Sequence, residues 1–132
     1  MLAALNLTPE WYVPVDEEAR QKANSEYVPT AFLLSGLSFR DREILQNLES
    51  GRVDPSSGRV SLNLGSAVAH ALRCGVKGWR NFGNPEVKFK ADTDPDGKAS
   101  EESLQLIPGE LCQELYAKIR NRSWLSEEAR KN

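Results

Sequence analysis

His70 is the only histidine in the chain, and it lies four residues after Ser66 and four before Cys74. On a helix this spacing stacks the three side chains along one face. A Ser or Cys beside a His is the start of a nucleophile–base pair. Nucleophilic catalysis also needs a group that orients the base and donors for an oxyanion. Neither is identifiable, so His70 reads as a surface or half-buried structural residue and no catalytic residue is assigned. The two cysteines, Cys74 and Cys112, stand outside CxxC or metal-ligand spacing, so no metal site is assigned to them. Both read as reduced thiols, with Cys112 a small core residue and the role of Cys74 open.

A second candidate chemistry lies at residues 92–97. Asp92, Asp94 and Asp96 occupy positions 1, 3 and 5 of an EF-hand-like loop, and Gly97 occupies position 6. Position 12, where a bidentate Glu completes the calcium shell, is Ser103, with Glu101 and Glu102 out of register. Pro95 interrupts the loop, and a predicted strand precedes it. An Asx-rich solvated turn is the preferred reading.

Arg73, Lys77 and Arg80 follow at helical spacing and form a basic row beside His70. Such a row fits nucleic acid, a partner's acidic face, or solvent. The net charge of -2 gives no overall field toward polyanions, so nucleic-acid binding is not expected. Trp11, Trp79 and Trp124 are the large rings. Trp79 is expected in the core, whereas Trp124 and Leu125 have little chain left to cover them and suit contact with another protein.

These groups depend on residues 65–89 for their placement. Val68, Leu72, Gly75, Val76 and Trp79 share one helical face, which predicts a helix that starts at Gly65-Ser66, loosens at Gly78 and stops at Gly83-Asn84-Pro85. Trp79 and Phe82 then sit at its last turn and exit. Upstream, residues 10–15 suit an edge strand because Pro14 removes a ladder donor. Residues 16–25 read as a charged helical turn or loop, and 27–34 as a second strand. A helix capped by Ser38 runs to about Glu49 and buries Ile44, Leu45 and Leu48, with Gly51 as its stop. The turn at 54–58 is followed by a short strand at 60–64, and a hairpin from 53 to 60 is a further expectation. Downstream, Val87 and Phe89 alternate with lysines as a strand. Ser100 starts a brief helix, and Pro108 opens a longer one to about Asn121 with Leu111, Cys112, Leu115 and Ile119 inward.

The whole therefore predicts a single α+β domain over residues 1–132, helix-dominated with a small antiparallel sheet. Residues 1–25 are expected partly extended, and residues 123–132 form a C-terminal tail. Its 132 residues, 39% hydrophobic and 27% charged, are ordinary for a globular domain. No long apolar run predicts a membrane span, and no leader predicts export.

Two stretches together resemble the tail assembly chaperones of long-tailed bacteriophages. Gly75-Val76-Lys77-Gly78-Trp79-Arg80-Asn81-Phe82 is similar to the family's GW-x-N-F segment. The ending from Ile107-Pro108-Gly109 through Leu115 and Ile119 to Ser123-Trp124-Leu125-Ser126-Glu127-Glu128 is similar to its closing helix and tail. Tyr27-Val28-Pro29-Thr30-Ala31-Phe32-Leu33-Leu34 also looks like its early strand. The resemblance implies a non-catalytic, cofactor-free protein of the bacterial host cytoplasm, absent from the mature virion. Such a protein self-associates and coats the tape measure protein until tail tube protein replaces it. Partner contacts are then expected at Trp79, Phe82, Trp124 and Leu125, with Arg73, Lys77 and Arg80 as a charged interface. Rival expectations are a head–tail connector, a tail completion protein, or a calcium-binding interaction module built on Asp92 and its loop.

Overall fold

The structure, a computed structural model, describes residues 1–53, 56–57, 60–61, 64–92 and 97–125. Strand β1 (Glu10–Tyr12) is followed by helix α1 (Val15–Ala23), strand β2 (Ala31–Leu34) and helix α2 (Phe39–Glu49). A two-stranded hairpin, β3 (Arg52–Val53) and β4 (Val60–Ser61), leads into α3 (Leu64–Gly75), which passes directly into β5 (Val76–Arg80). Two helices close the described chain, α4 (Glu101–Leu104) and α5 (Gly109–Trp124). The architecture is α+β and helix-dominated. No described helix is long and apolar enough to cross a membrane.

Local signals place most of the helix ends. The Ser38 hydroxyl accepts the Asp41 N–H at 3.2 Å and caps α2, and Gly51 at φ 75° ends it. Ser100 caps α4 in the same way through the Ser103 N–H. The N-terminal charged stretch forms a full nine-residue helix rather than a turn or loop. Glu17 holds it in place: its carboxylate accepts from Tyr27 Oη at 2.6 Å and from the Thr30 N–H at 3.0 Å.

The sheet order is β1-β2-β5, antiparallel throughout, so β1 is an edge as its proline neighbour predicts. The helix predicted to continue through Trp79 ends instead at Gly75, and Val76–Arg80 is a strand. A β-bulge reconciles the two patterns. Leu33 opposes Gly78 while Leu34 opposes Val76, which leaves Lys77 as the extra residue. The bulge resets the alternation, so Val76 and Trp79 both face inward at a spacing of three, the spacing of a helix turn. The predicted strand at Val87 and Phe89 is also absent, because the backbone there is spent elsewhere. The Val87 N–H donates to Phe82 O at 2.8 Å, Trp79 Nε1 donates to Val87 O at 2.7 Å, and the Lys90 N–H donates to Ser103 Oγ at 2.8 Å.

Helix α3 is the centre of the core, packed against both α2 and α5. Its small residues, Ala67, Ala71, Cys74 and Gly75, let two helices approach at once, so it has two buried faces rather than one. Its last carbonyls find partners in neighbouring segments: Arg73 O accepts from the Ala99 N–H and Gly75 O from the Ser35 N–H. Leu45, Leu115, Ile119 and Phe32 complete the core, all fully buried. Ile44, expected inward, is 37% exposed. Under β5 lies an aromatic cluster in which Trp79 makes edge-on contacts with Phe32, Phe82 and Phe89 at centroid distances of 6.2, 4.9 and 5.1 Å. Each such pair contributes about 0.5–1.5 kcal/mol beyond area burial.

Candidate functional site

Helices α3, α4 and α5 leave a gap at one end, where α4 is only a single turn. Val68, Ala69 and Leu72 from α3, Leu104 from α4 and Cys112 from α5 line a groove of about 490 Å³. Gly65 leaves one side open, since a Cβ built on it meets nothing within 4 Å. Arg73 and Glu101 add one charge of each sign to the lining. An apolar floor with opposite charges at its margin suits an amphipathic segment that inserts aliphatic anchors. Exposed apolar groups elsewhere include Phe39 at 77% and Trp11 at 46%, the latter overlaid by the Arg80 guanidinium at 4.4 Å.

The residues expected to contact partners are scattered. Trp79 is 8% exposed and is enclosed by rings of its own chain, so its ring belongs to the core. Phe82 is half-buried against Phe32 and Trp79. The GW-x-N-F stretch is thus a strand and its exit turn: Asn81 adopts φ 55°, and its carbonyl accepts from Thr30 Oγ1 at 2.6 Å. Trp124 ends α5 half-buried against the core, with Arg120 over its ring at 5.0 Å. Leu125 is 39% exposed. Residues 126–132 lie outside the described residues.

The basic row does not form, because the helix carrying it ends at Gly75. Arg73 pairs with Asp92 at 3.1 Å, Lys77 sits at the bulge and Arg80 lies on Trp11. Of the calcium-type loop, Asp94 and Asp96 lie outside the described residues. Ser103, at the position of the bidentate ligand, is 2% exposed and bonds the Lys90 backbone instead.

His70 and Cys74 do meet, and Asp41 joins them from α2, a partner that sequence spacing does not reveal. His70 Nε2 lies 2.9 Å from the Asp41 carbonyl oxygen, and Cys74 Sγ lies 3.8 Å from His70 Nδ1. Cys74, whose role the sequence leaves open, is 4% exposed and belongs to the core. Burial first, then the Asp41 carboxylate, pushes its thiol up to about 11. A nucleophilic cysteine needs the opposite shift, so the pair is not arranged for thiolate attack. Compared with known proteins, the chain matches no family model, no curated sequence and no solved structure.

Proposed function

We propose that this chain is a non-catalytic tail assembly chaperone of a long-tailed phage or prophage that binds helical segments of the tape measure protein. The groove between α3, α4 and α5 is the observation that carries the reading. Its floor of Val68, Leu72, Leu104 and Cys112 is apolar and, apart from the buried Leu72, partly exposed, the form in which a helix-in-groove partner is gripped. The GW-x-N-F stretch and the closing helix add the family resemblance. In the groove, aliphatic anchors of the tape measure helix leave water, while Arg73 and Glu101 favour one orientation of its charged face. Self-association and later displacement by tail tube protein belong to the same reading, which places the chain in the host cytoplasm and outside the finished virion.

The test is co-expression with the tape measure protein of the same genome. The chain keeps that protein soluble and co-purifies with it. Ala69→Glu, which puts a carboxylate on an exposed lining position, abolishes co-purification while leaving thermal stability within about 0.5 kcal/mol. Stoichiometric presence of the chain in purified virions would overturn the proposal in favour of a connector or completion protein.

A further inference from the structure

Asp41 on the first turn of α2 faces His70 and Cys74, one turn apart on α3, because those two helices pack together. One carboxylate oxygen, one ring nitrogen and the thiol sulfur all lie within 4.8 Å of one another. The histidine's tautomer is already set. A carbonyl oxygen only accepts, so Nε2 at 2.9 Å from Asp41 O carries the proton and Nδ1 is the nitrogen left to bind a metal, with Cys74 Sγ 3.8 Å from Nδ1 and 4.0 Å from Nε2. Metal-bound histidines characteristically make this same bond, donating the other ring N–H to a carbonyl. Tetrahedral bonds of about 2.0 and 2.3 Å to nitrogen and sulfur put those atoms about 3.6 Å apart, so the separation suits a shared metal once a turn of the ring brings the Nδ1 lone pair round to it.

We infer that Asp41, His70 and Cys74 form a binding site for a zinc-type divalent cation, with one coordination position open toward the adjoining cleft. The donor set selects the metal class. A thiolate and an imidazole favour zinc, cobalt(II) or cadmium, whereas calcium and magnesium take oxygen shells. On binding, the Cys74 S–H bond breaks as the sulfur–metal bond forms, and the proton leaves to solvent. A dication with one carboxylate and one thiolate is then net neutral, one unit more positive than the metal-free site, so the cation displaces Lys98, 3.8 Å from Asp41 Oδ1, as the partner of that carboxylate. The cleft has a volume of about 420 Å³ and carries Arg40, Lys77 and Lys98, so the fourth ligand is water or a small anion. The inference stands on these three residues alone and is independent of the groove.

The experiment is a cobalt(II) titration of the reduced, tag-free full chain, read by absorbance. A sulfur-to-cobalt charge-transfer band saturating at one equivalent, abolished by competing zinc but not by calcium, is the expected result. Cys74→Ser removes the band, and Cys112→Ser keeps it. His70→Ala and Asp41→Asn each weaken binding by about 10-fold or more. Circular dichroism checks the fold of every variant, and Cys74→Ala replaces serine should serine fail to fold. Absence of a band in the folded chain, or a band that survives loss of Cys74 or disappears with Cys112, overturns the inference.

Discussion

Gly75 and Ile119 are in direct contact across the α3–α5 interface: a Cβ built on Gly75 would stand 2.6 Å from Ile119 Cγ2 and 2.7 Å from its Cδ1. Ile119 is fully buried, and a β-branched side chain on a helix has essentially one χ1 rotamer, so it has nowhere to retreat. Gly75→Ala therefore overpacks the core. Higher helix propensity returns at most about 1 kcal/mol, and less at a helix's last residue, against a strain of about 1–3 kcal/mol. The net effect is destabilisation of about 1–2 kcal/mol in urea unfolding. In an Ile119→Ala background the same change costs less, because the added methyl enters the space that isoleucine vacated. Additive free energies would refute the contact.

Ser123 joins two distant parts of the chain from a fully buried position. Its hydroxyl donates to Ile119 O at 2.7 Å and accepts the Leu37 N–H at 2.9 Å. Ser123→Ala leaves the Leu37 N–H buried without a partner, which costs about 1–3 kcal/mol. Amide exchange at Leu37 then accelerates by more than the global loss of stability explains. Equal acceleration at every core amide would show instead that the hydroxyl bond is not specific.

The sequence-based reading succeeds where a signal is local and fails where a partner strand or helix decides. Ser38 and Gly51 bracket α2 because capping chemistry is short-range, and Pro108 marks the start of α5 for the same reason. Val76 and Trp79 mislead because a bulge opposite Leu33 and Leu34 gives a strand the inward spacing of a helix. Arg122 is invisible as a core residue: it is 9% exposed because Glu10 Oε2 and Thr8 O accept its guanidinium at 2.9 and 2.8 Å, from the far end of the chain. The Asp41–His70–Cys74 meeting was half legible. The i, i+4 pair shows in the sequence, while Asp41 arrives through helix packing.

Trp124 and Leu125, adjacent in sequence, separate in energy. Trp124 packs against the core cluster and carries Arg120 over its ring, whereas Leu125 stands on the C-cap and is 39% exposed. Trp124→Ala is expected to cost about 2 kcal/mol, below the range for a fully buried ring. Leu125→Ala stays within about 0.5 kcal/mol. Thermal denaturation of the two single variants measures the difference. A tryptophan variant as stable as the leucine one would return Trp124 to the partner-binding surface.

Glu17 makes the stability of the α1 docking depend on pH. Burial works to raise its carboxyl, but hydrogen bonds from Tyr27 and Thr30 and the Arg20 cation at 3.6 Å outweigh it and hold the group below the usual carboxylate value of 4.5. A carboxylate whose folded value is depressed releases its proton more readily in the native state. Its contribution is complete above the unfolded value and is lost as pH falls through the folded one. Stability measured in urea should therefore decline on acidification below about pH 5, and Glu17→Gln should flatten part of that decline while lowering stability at pH 7. Parallel pH profiles for the two proteins would show that Glu17 is not what ties α1 to the segment leading into β2.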